Sequence, residues 1–264
     1  MYGLIVNLTR KWVCVVFRGT VGLTDMKTDR DFNLDYDKYK SSLGGKPGTH
    51  AGFTQYLFNE RECDYVKRPY IERMIASVND VFEKNPDIVG NDFKLYTTGH
   101  SLGGALANLF AFSVAHLKAQ NDPSVKDFPK KVQAITFAAP VVGNDDFNKE
   151  YQSLEKEGFL RHIRISNQGD VVPTNNVFIP FAVKGNSYEY TQNGVNLFLH
   201  PDKKLEVIYR NTKTTLSQIQ LNLMNTLKNH LVPEYKNRMA LQDNKEVFKQ
   251  TVEEIYQEAG DFTK

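Results

Sequence analysis

Apolar residues follow two rhythms along this chain. Short stretches crowded with β-branched and aromatic side chains lie between turn-forming residues, and longer stretches repeat apolar positions every three or four residues. Tyr2 to Leu8 and Lys11 to Phe17 belong to the first kind and predict a hairpin through Thr9-Arg10. The second of these, Trp12-Val13-Cys14-Val15-Val16-Phe17, is nearly all apolar, as expected of a strand covered on both faces. From Arg68 to Lys84, Ile71, Met74, Ile75, Val78, Val81 and Phe82 fall on one helical face, which Asn85-Pro86 closes. Phe93 to Tyr96 reads as a strand, and the helix that follows runs to about Gln120. Val132 to Ala138 and Leu160 to Ile165 are further strands. Val177 to Val183, Ser187 to Thr191, Val195 to Leu199 and Leu205 to Tyr209 read as short strands of an antiparallel extension. Leu216, Ile219, Leu223, Met224 and Leu227 line a helix with His230 at its end, and a last helix spans Lys245 to Ala259. Strands alternating with helices predict an α/β sandwich with a mixed sheet, and the whole chain, 1–264, reads as one domain.

The most informative junction is Thr97-Thr98-Gly99-His100-Ser101-Leu102-Gly103-Gly104-Ala105, between a predicted strand and a predicted helix. A serine raised on so sharp a turn has strained backbone angles, and its flanks leave no room for side chains. Gly99 and Gly103 meet that demand. The Ser101 hydroxyl then points away from the sheet, and the Leu102 N–H sits at a helix N-terminus, where it can stabilise an oxyanion.

A neutral serine is a weak nucleophile; it needs a base, and the base an orienting acid. The turn resembles the nucleophile elbow of α/β-hydrolases, whose chain order is serine, acid, histidine. His162, His200 and His230 follow Ser101. His162 lies inside an apolar strand and reads as structural, while His200 opens a turn between two strands. His230 stands in a loop between two helices, where an imidazole can reach a strand end, and is the expected base, with His200 the alternative. Asp170, directly after a strand, is the expected acid; Asp145 and Asp146 are weaker choices. His100 reads as a packing or hydrogen-bonding residue, and His50 precedes the serine and fits the order badly. No histidine–carboxylate cluster has metal-ligand spacing, and acyl transfer of this kind needs no cofactor.

Composition narrows the partners. Hydrophobic residues make up 41% of 264 residues, enough for one sizeable core, and a net charge of +2 gives no electrostatic case for nucleic acid. Cys14 and Cys63 do not make a disulfide framework. Cys14, in an apolar strand, reads as a small buried hydrophobe. No apolar run looks long enough to span a bilayer, and the start has neither the basic head nor the cleavage site of a signal peptide. The expected placement is cytoplasmic unless the start is trimmed.

Taken together, the motifs resemble the fungal-type, or class 3, lipases. The resemblance runs in order through Val15-Val16-Phe17-Arg18-Gly19-Thr20, Asp25 with Asp29, His50-Ala51-Gly52-Phe53 and the Ser101 elbow. It continues through Thr136 to Asn144, Asn167 with Asp170-Val171-Val172-Pro173, His200 to Val207, and His230 with Tyr235. It implies the α/β-hydrolase fold: a three-layer α/β/α sandwich around a central mixed, mostly parallel sheet. It further implies Ser101 as nucleophile, Asp170 as acid, His230 as base, and Thr20 with Leu102 as the oxyanion hole. The implied substrate is a lipid acyl ester, with peripheral contact at a lipid surface. Phospholipase, galactolipase or feruloyl-type esterase chemistry would use the same triad. An acyltransferase would differ in its acceptor, and a non-catalytic lipid-binding protein would need a broken triad. Residues 21–40 take the place of the family's lid. They carry Met26 where a tryptophan often stands, and the family's disulfides and N-terminal helical segment have no counterpart here. Asp25, Lys27, Asp29, Arg30, Asp31, Asp35, Asp37, Lys38 and Lys40 crowd this segment, so weak interfacial activation is expected.

Overall fold

A computed structural model of the chain describes residues 2–19, 33–63, 66–86, 92–173, 190–202, 205–209, 228–242 and 245–259. Seven strands form the main sheet: β1 (Tyr2–Asn7), β2 (Trp12–Phe17), β3 (Lys94–His100), β4 (Val132–Phe137), β5 (Leu160–Asn167), β6 (Val195–Leu199) and β7 (Leu205–Tyr209). They lie side by side in chain order. Strands β2 to β6 are parallel; β1 and β7 are antiparallel edges.

Two corrections to the sequence reading follow from this topology. Val195 to Leu199 is not part of an antiparallel extension: β6 pairs in parallel with β5, Ile163 opposite Val195 and Asn167 opposite Leu199, and only β7 runs back against it. Alternating side chains record which face is buried and carry no information about the partner's direction. Tyr190–Thr191 leaves the main sheet altogether and pairs with Gly143–Asn144, in a small antiparallel sheet that also holds Thr49–His50 and Leu34–Asp35. Val177 to Val183 and the helix expected around Leu216 to Leu227 lie outside the described residues.

One face of the sheet is covered by α1 (Ala51–Phe58), α2 (Tyr70–Lys84), α3 (Leu102–Ala119) and α4 (Asp145–Lys156), around Val13, Val15, Leu95, Leu106, Phe110, Phe112, Val132 and Tyr151. The other carries α5 (Val232–Leu241) and α6 (Val252–Ala259), over Ile163, Ile165, Val195 and Leu197. These are the three layers of the α/β/α sandwich. Among the described residues, α3 is the one helix whose length and mean hydropathy reach those of a bilayer span; every residue from Gly103 to Ala115 is buried in the core.

The burial of β2 corrects a further expectation. Val13, Val15 and Phe17 are buried while Trp12, Cys14 and Val16 are only half-buried, so β2 is fully covered on one face alone. Cys14 sits on the half-covered side as a free thiol, pushed up to about 11 by burial.

The C-terminal helix is also interrupted. Lys245–Lys249 is a 3-10 turn, and α6 starts afresh after Thr251, whose hydroxyl accepts from the Glu254 N–H while the Glu254 carboxylate accepts from the Thr251 N–H. This reciprocal pair is a capping box, written in the sequence as Thr-x-x-Glu.

Residues 33–40, the described end of the lid-like segment, are tied to the body. Tyr39 is buried against Phe112 and Phe147, and its hydroxyl bonds Ser113 at 2.7 Å. The connector behind it is clasped by Glu150 on α4, which accepts from Ser41 Oγ, Ser42 N, Ser42 Oγ and Leu43 N. Burial opposes the charge on Glu150, but these donors hold its carboxyl below the usual range.

Candidate active site

The site begins with how closely β3 and α3 can pass. A Cβ on Gly99 would lie 2.2 Å from the Gly103 carbonyl, and one on Gly103 would lie 2.4 Å from that of Phe17. Only glycine lets strand, turn and helix cross at this separation. Ser101, at the apex, has φ 56° and ψ −127°, a conformation that costs an L-residue roughly 1–3 kcal/mol. The fold holds it there: the Ser101 N–H donates to Phe137 O at 3.0 Å, and the Ser101 carbonyl accepts from Gly104 and Ala105. The parallel register sets Gly99 opposite Phe17 and His100 opposite Phe137, so the elbow stands at the carboxyl ends of β2, β3 and β4, where open α/β sheets place their chemistry.

Asp170, the expected acid, arrives from the next strand. Chain leaving β5 turns through Gln168-Gly169, Gly169 at φ 82°, and presents this residue, which is 2% exposed. Its carboxylate accepts from the Tyr235 hydroxyl at 2.7 Å and from the Val172 N–H at 3.0 Å, and lies 3.0 and 3.1 Å from His230 Nδ1. A carboxylate only accepts, so Nδ1 carries the proton and Nε2 offers its lone pair. That Nε2 is 2.9 Å from Ser101 Oγ. Ser101, His230 and Asp170 thus meet in the order a nucleophile, its base and an orienting acid require.

Residues 228–230 are helical, so His230 ends a helical segment one residue before α5 rather than standing in a loop. Both carbonyls at this point are held: Asn229 O accepts from Asn167 Nδ2 at 2.8 Å, and His230 O lies 2.8 Å from His100 Nε2. Arg238 on α5 reaches the Asn229 side chain and the Gln168 and Leu199 carbonyls, joining the turn before Asp170 to the residue before His230. Tyr235 accepts from the Asn167 N–H while it donates to Asp170, and burial next to that carboxylate pushes its phenol far above its ordinary range.

Leu102 opens α3 directly after Ser101, so its N–H has no acceptor within the helix. Thr20 lies outside the described residues; Gly19 is beside the elbow, its α-carbon so close that an added Cβ would lie 2.7 Å from His100 O and 3.9 Å from Ser101 Cβ.

The remaining candidates fall elsewhere. His200 pairs with Glu206 across the β6–β7 turn at 3.1 Å. His162 is buried between Thr136 and Tyr151. His50 caps α1 and stacks on Phe53. Asp145 bonds Thr191, and Asp146 is engaged with Lys149 and the Lys46 N–H. Sequence reasoning gave no role to Asn229 or Arg238 and none to Tyr235 beyond its place in a motif. Their only signal is spacing: Tyr235 and Arg238 both follow His230 within about two helical turns, enough to bring a helix-borne side chain back over the histidine.

A family model described as Lipase (class 3) matches residues 14–178. The chain is 32% identical over 172 residues to Phospholipase A1-Igamma1, chloroplastic, of Arabidopsis thaliana, covering 63% of this chain and 32% of that protein. It is 37% identical over 97 residues to Lipase ZK262.3 of Caenorhabditis elegans, 37% of this chain and 23% of that one. The chain therefore spans about a third or less of these relatives. Among solved structures, a propeptide complex of Rhizomucor miehei lipase superposes with a TM-score of 0.56 at 20% identity, covering 82% of this chain and 58% of that one. An α/β-hydrolase sandwich with a glycine-flanked serine elbow, matched by the family model over more than half its length, makes this chain a member of the class 3 lipase family.

Proposed function

We propose that this chain is a serine carboxylic-ester hydrolase acting on lipid acyl esters, with Ser101 as nucleophile, His230 as base and Asp170 as orienting acid. The observation that carries the reading is the continuous chain of contacts from Ser101 Oγ through both nitrogens of His230 to Asp170. In the acylation step His230 Nε2 takes the hydroxyl proton as Oγ attacks the ester carbonyl. The Leu102 N–H stabilises the oxyanion, with Thr20 proposed as its second donor. Collapse of the tetrahedral species passes the proton to the departing alcohol and leaves an acyl-enzyme. Water, activated by the same histidine, then releases the fatty acid and restores Ser101.

Tri-, di- and monoacylglycerols are the proposed substrates. Phospholipid acyl esters are the second reading, favoured by the similarity to the Arabidopsis phospholipase A1. The test is a panel of nitrophenyl esters, acylglycerols, phospholipids and galactolipids assayed with the wild type and Ser101→Ala. Loss of about 10⁴-fold or more in kcat is expected for the variant on whichever ester is cleaved. Near-normal turnover by Ser101→Ala, or phosphonate labelling of another residue, would overturn the assignment.

A further inference from the structure

The residue before the nucleophile does work that the triad does not describe. Along β3, Leu95, Thr97 and Gly99 stand on the buried face against α3, so alternation sends the side chains of Tyr96, Thr98 and His100 to the opposite face. There the His100 ring lies edge-on to Tyr235, with centroids 5.8 Å apart, and 4.8 Å from the ring of His230. Its Nε2 is 2.8 Å from the backbone carbonyl of His230. A carbonyl has no proton to give, so Nε2–H is the donor.

We infer that His100 is a positioning residue: its Nε2–H grips the main chain of His230 and so sets where the imidazole stands over Ser101. The inference rests on the triad reading above. Two consecutive carbonyls are held from two different strands, that of Asn229 by Asn167 at the end of β5 and that of His230 by His100 at the end of β3. The imidazole's own nitrogens stay available for Asp170 and Ser101. Because His100 and Ser101 are chain neighbours, one strand end contacts both the backbone and the side chain of the same histidine. A shift of the elbow then carries the base with it, preserving a 2.9 Å contact whose loss by even 1 Å is costly.

Histidine suits the position chemically. Lysine or arginine would reach the carbonyl too, but would add a permanent charge beside an imidazole that must become cationic during turnover. Burial, and then the neighbouring His230, push the pKa of His100 down, so it donates as a neutral ring.

The experiment compares His100→Leu, His100→Gln and His100→Asn, with Ser101→Ala as control, on one soluble ester. Glutamine places an N–H near the position of the histidine Nε2; leucine has no donor, and asparagine is too short. His100→Leu and His100→Asn should lose 10- to 100-fold in kcat with KM within about twofold, and should slow phosphonate labelling of Ser101 by the same factor. His100→Gln should recover most of both rates. Wild-type kcat in folded His100→Leu or His100→Asn, a loss confined to KM, or a folded His100→Gln as slow as the others would overturn the inference. The two readings fail separately: an inert Ser101→Ala with a fully active His100→Leu sinks the role of His100 alone, whereas an active Ser101→Ala sinks the triad.

Discussion

Asp170 shows how one side chain is made to do a single task. A buried carboxylate has several lone pairs to satisfy, and here Tyr235, Val172 and His230 supply the donors. Removing the tyrosine hydroxyl leaves one oxygen short of a bond, and hydrogen bonds to charged groups are worth about 1.5–3 kcal/mol. Tyr235→Phe should therefore fold, keep KM and lose roughly 10- to 100-fold in kcat, read in steady-state kinetics on a soluble ester. An unchanged kcat would show that Val172 and His230 suffice. His162 poses the opposite problem, an imidazole with no room for charge. Burial, and then Arg164, push its pKa far down, so the native protein leaves it neutral. Below the ordinary histidine value of about 6.5 the unfolded chain binds a proton that the native state refuses. Stability therefore falls as pH drops through that value, by up to about 1.4 kcal/mol per pH unit from this group. Urea unfolding at pH 7.5 and 5.5 should show the loss, and His162→Asn should reduce the slope. The strand sequence alone indicated that His162 is structural, because its neighbours are apolar; it gave no sign of which face the ring meets.

At the scale of elements, legibility followed the local signals. The elbow could be read because glycine, serine and the change from strand to helix rhythm lie within nine residues. The direction of β6 could not, since it depends on a partner distant in sequence. The break before α6 was legible in principle: Thr251-Val252-Glu253-Glu254 is a capping box, but apolar residues at helical spacing run straight across it and hide the boundary. Thr251→Ala removes that cap and should cost about 1 kcal/mol, seen as a lower Tm with esterase activity unchanged. At the elbow the tolerance is far smaller. Gly99→Ala would force a methyl to 2.2 Å from the Gly103 carbonyl, backbone against backbone, so neither side can yield cheaply. That variant should be recovered mostly as unfolded or inactive protein; a wild-type melting curve would refute the packing argument.

In the described residues the proposed triad stands at one end of the sheet, and in sequence a charged segment follows close after β2. Residues 20–32 lie outside the described structure, while 33–40 are anchored through Tyr39. If residues 21–40 act as the proposed lid, their few apolar residues give little surface to exchange for an oil–water boundary, at about 25 cal/mol per Å2. The rate on a short-chain ester should therefore rise smoothly across its solubility limit, and a sharp jump at saturation would show the segment to be hydrophobic in effect. The order in which the machinery is strung along the chain has a consequence in time. Strands β1 to β4 and Ser101 precede residue 138, yet His230 follows the serine by 129 positions. At about 5–20 residues per second, a ribosome that has finished β4 works for roughly 5–20 s more before His230 exists at all. Through that interval the nascent chain carries Ser101 without its proposed base. On the proposed triad, hydrolysis by chains released at successive lengths should appear only once the segment bearing His230 and Tyr235 has been added, so that the onset of activity dates the making of that segment.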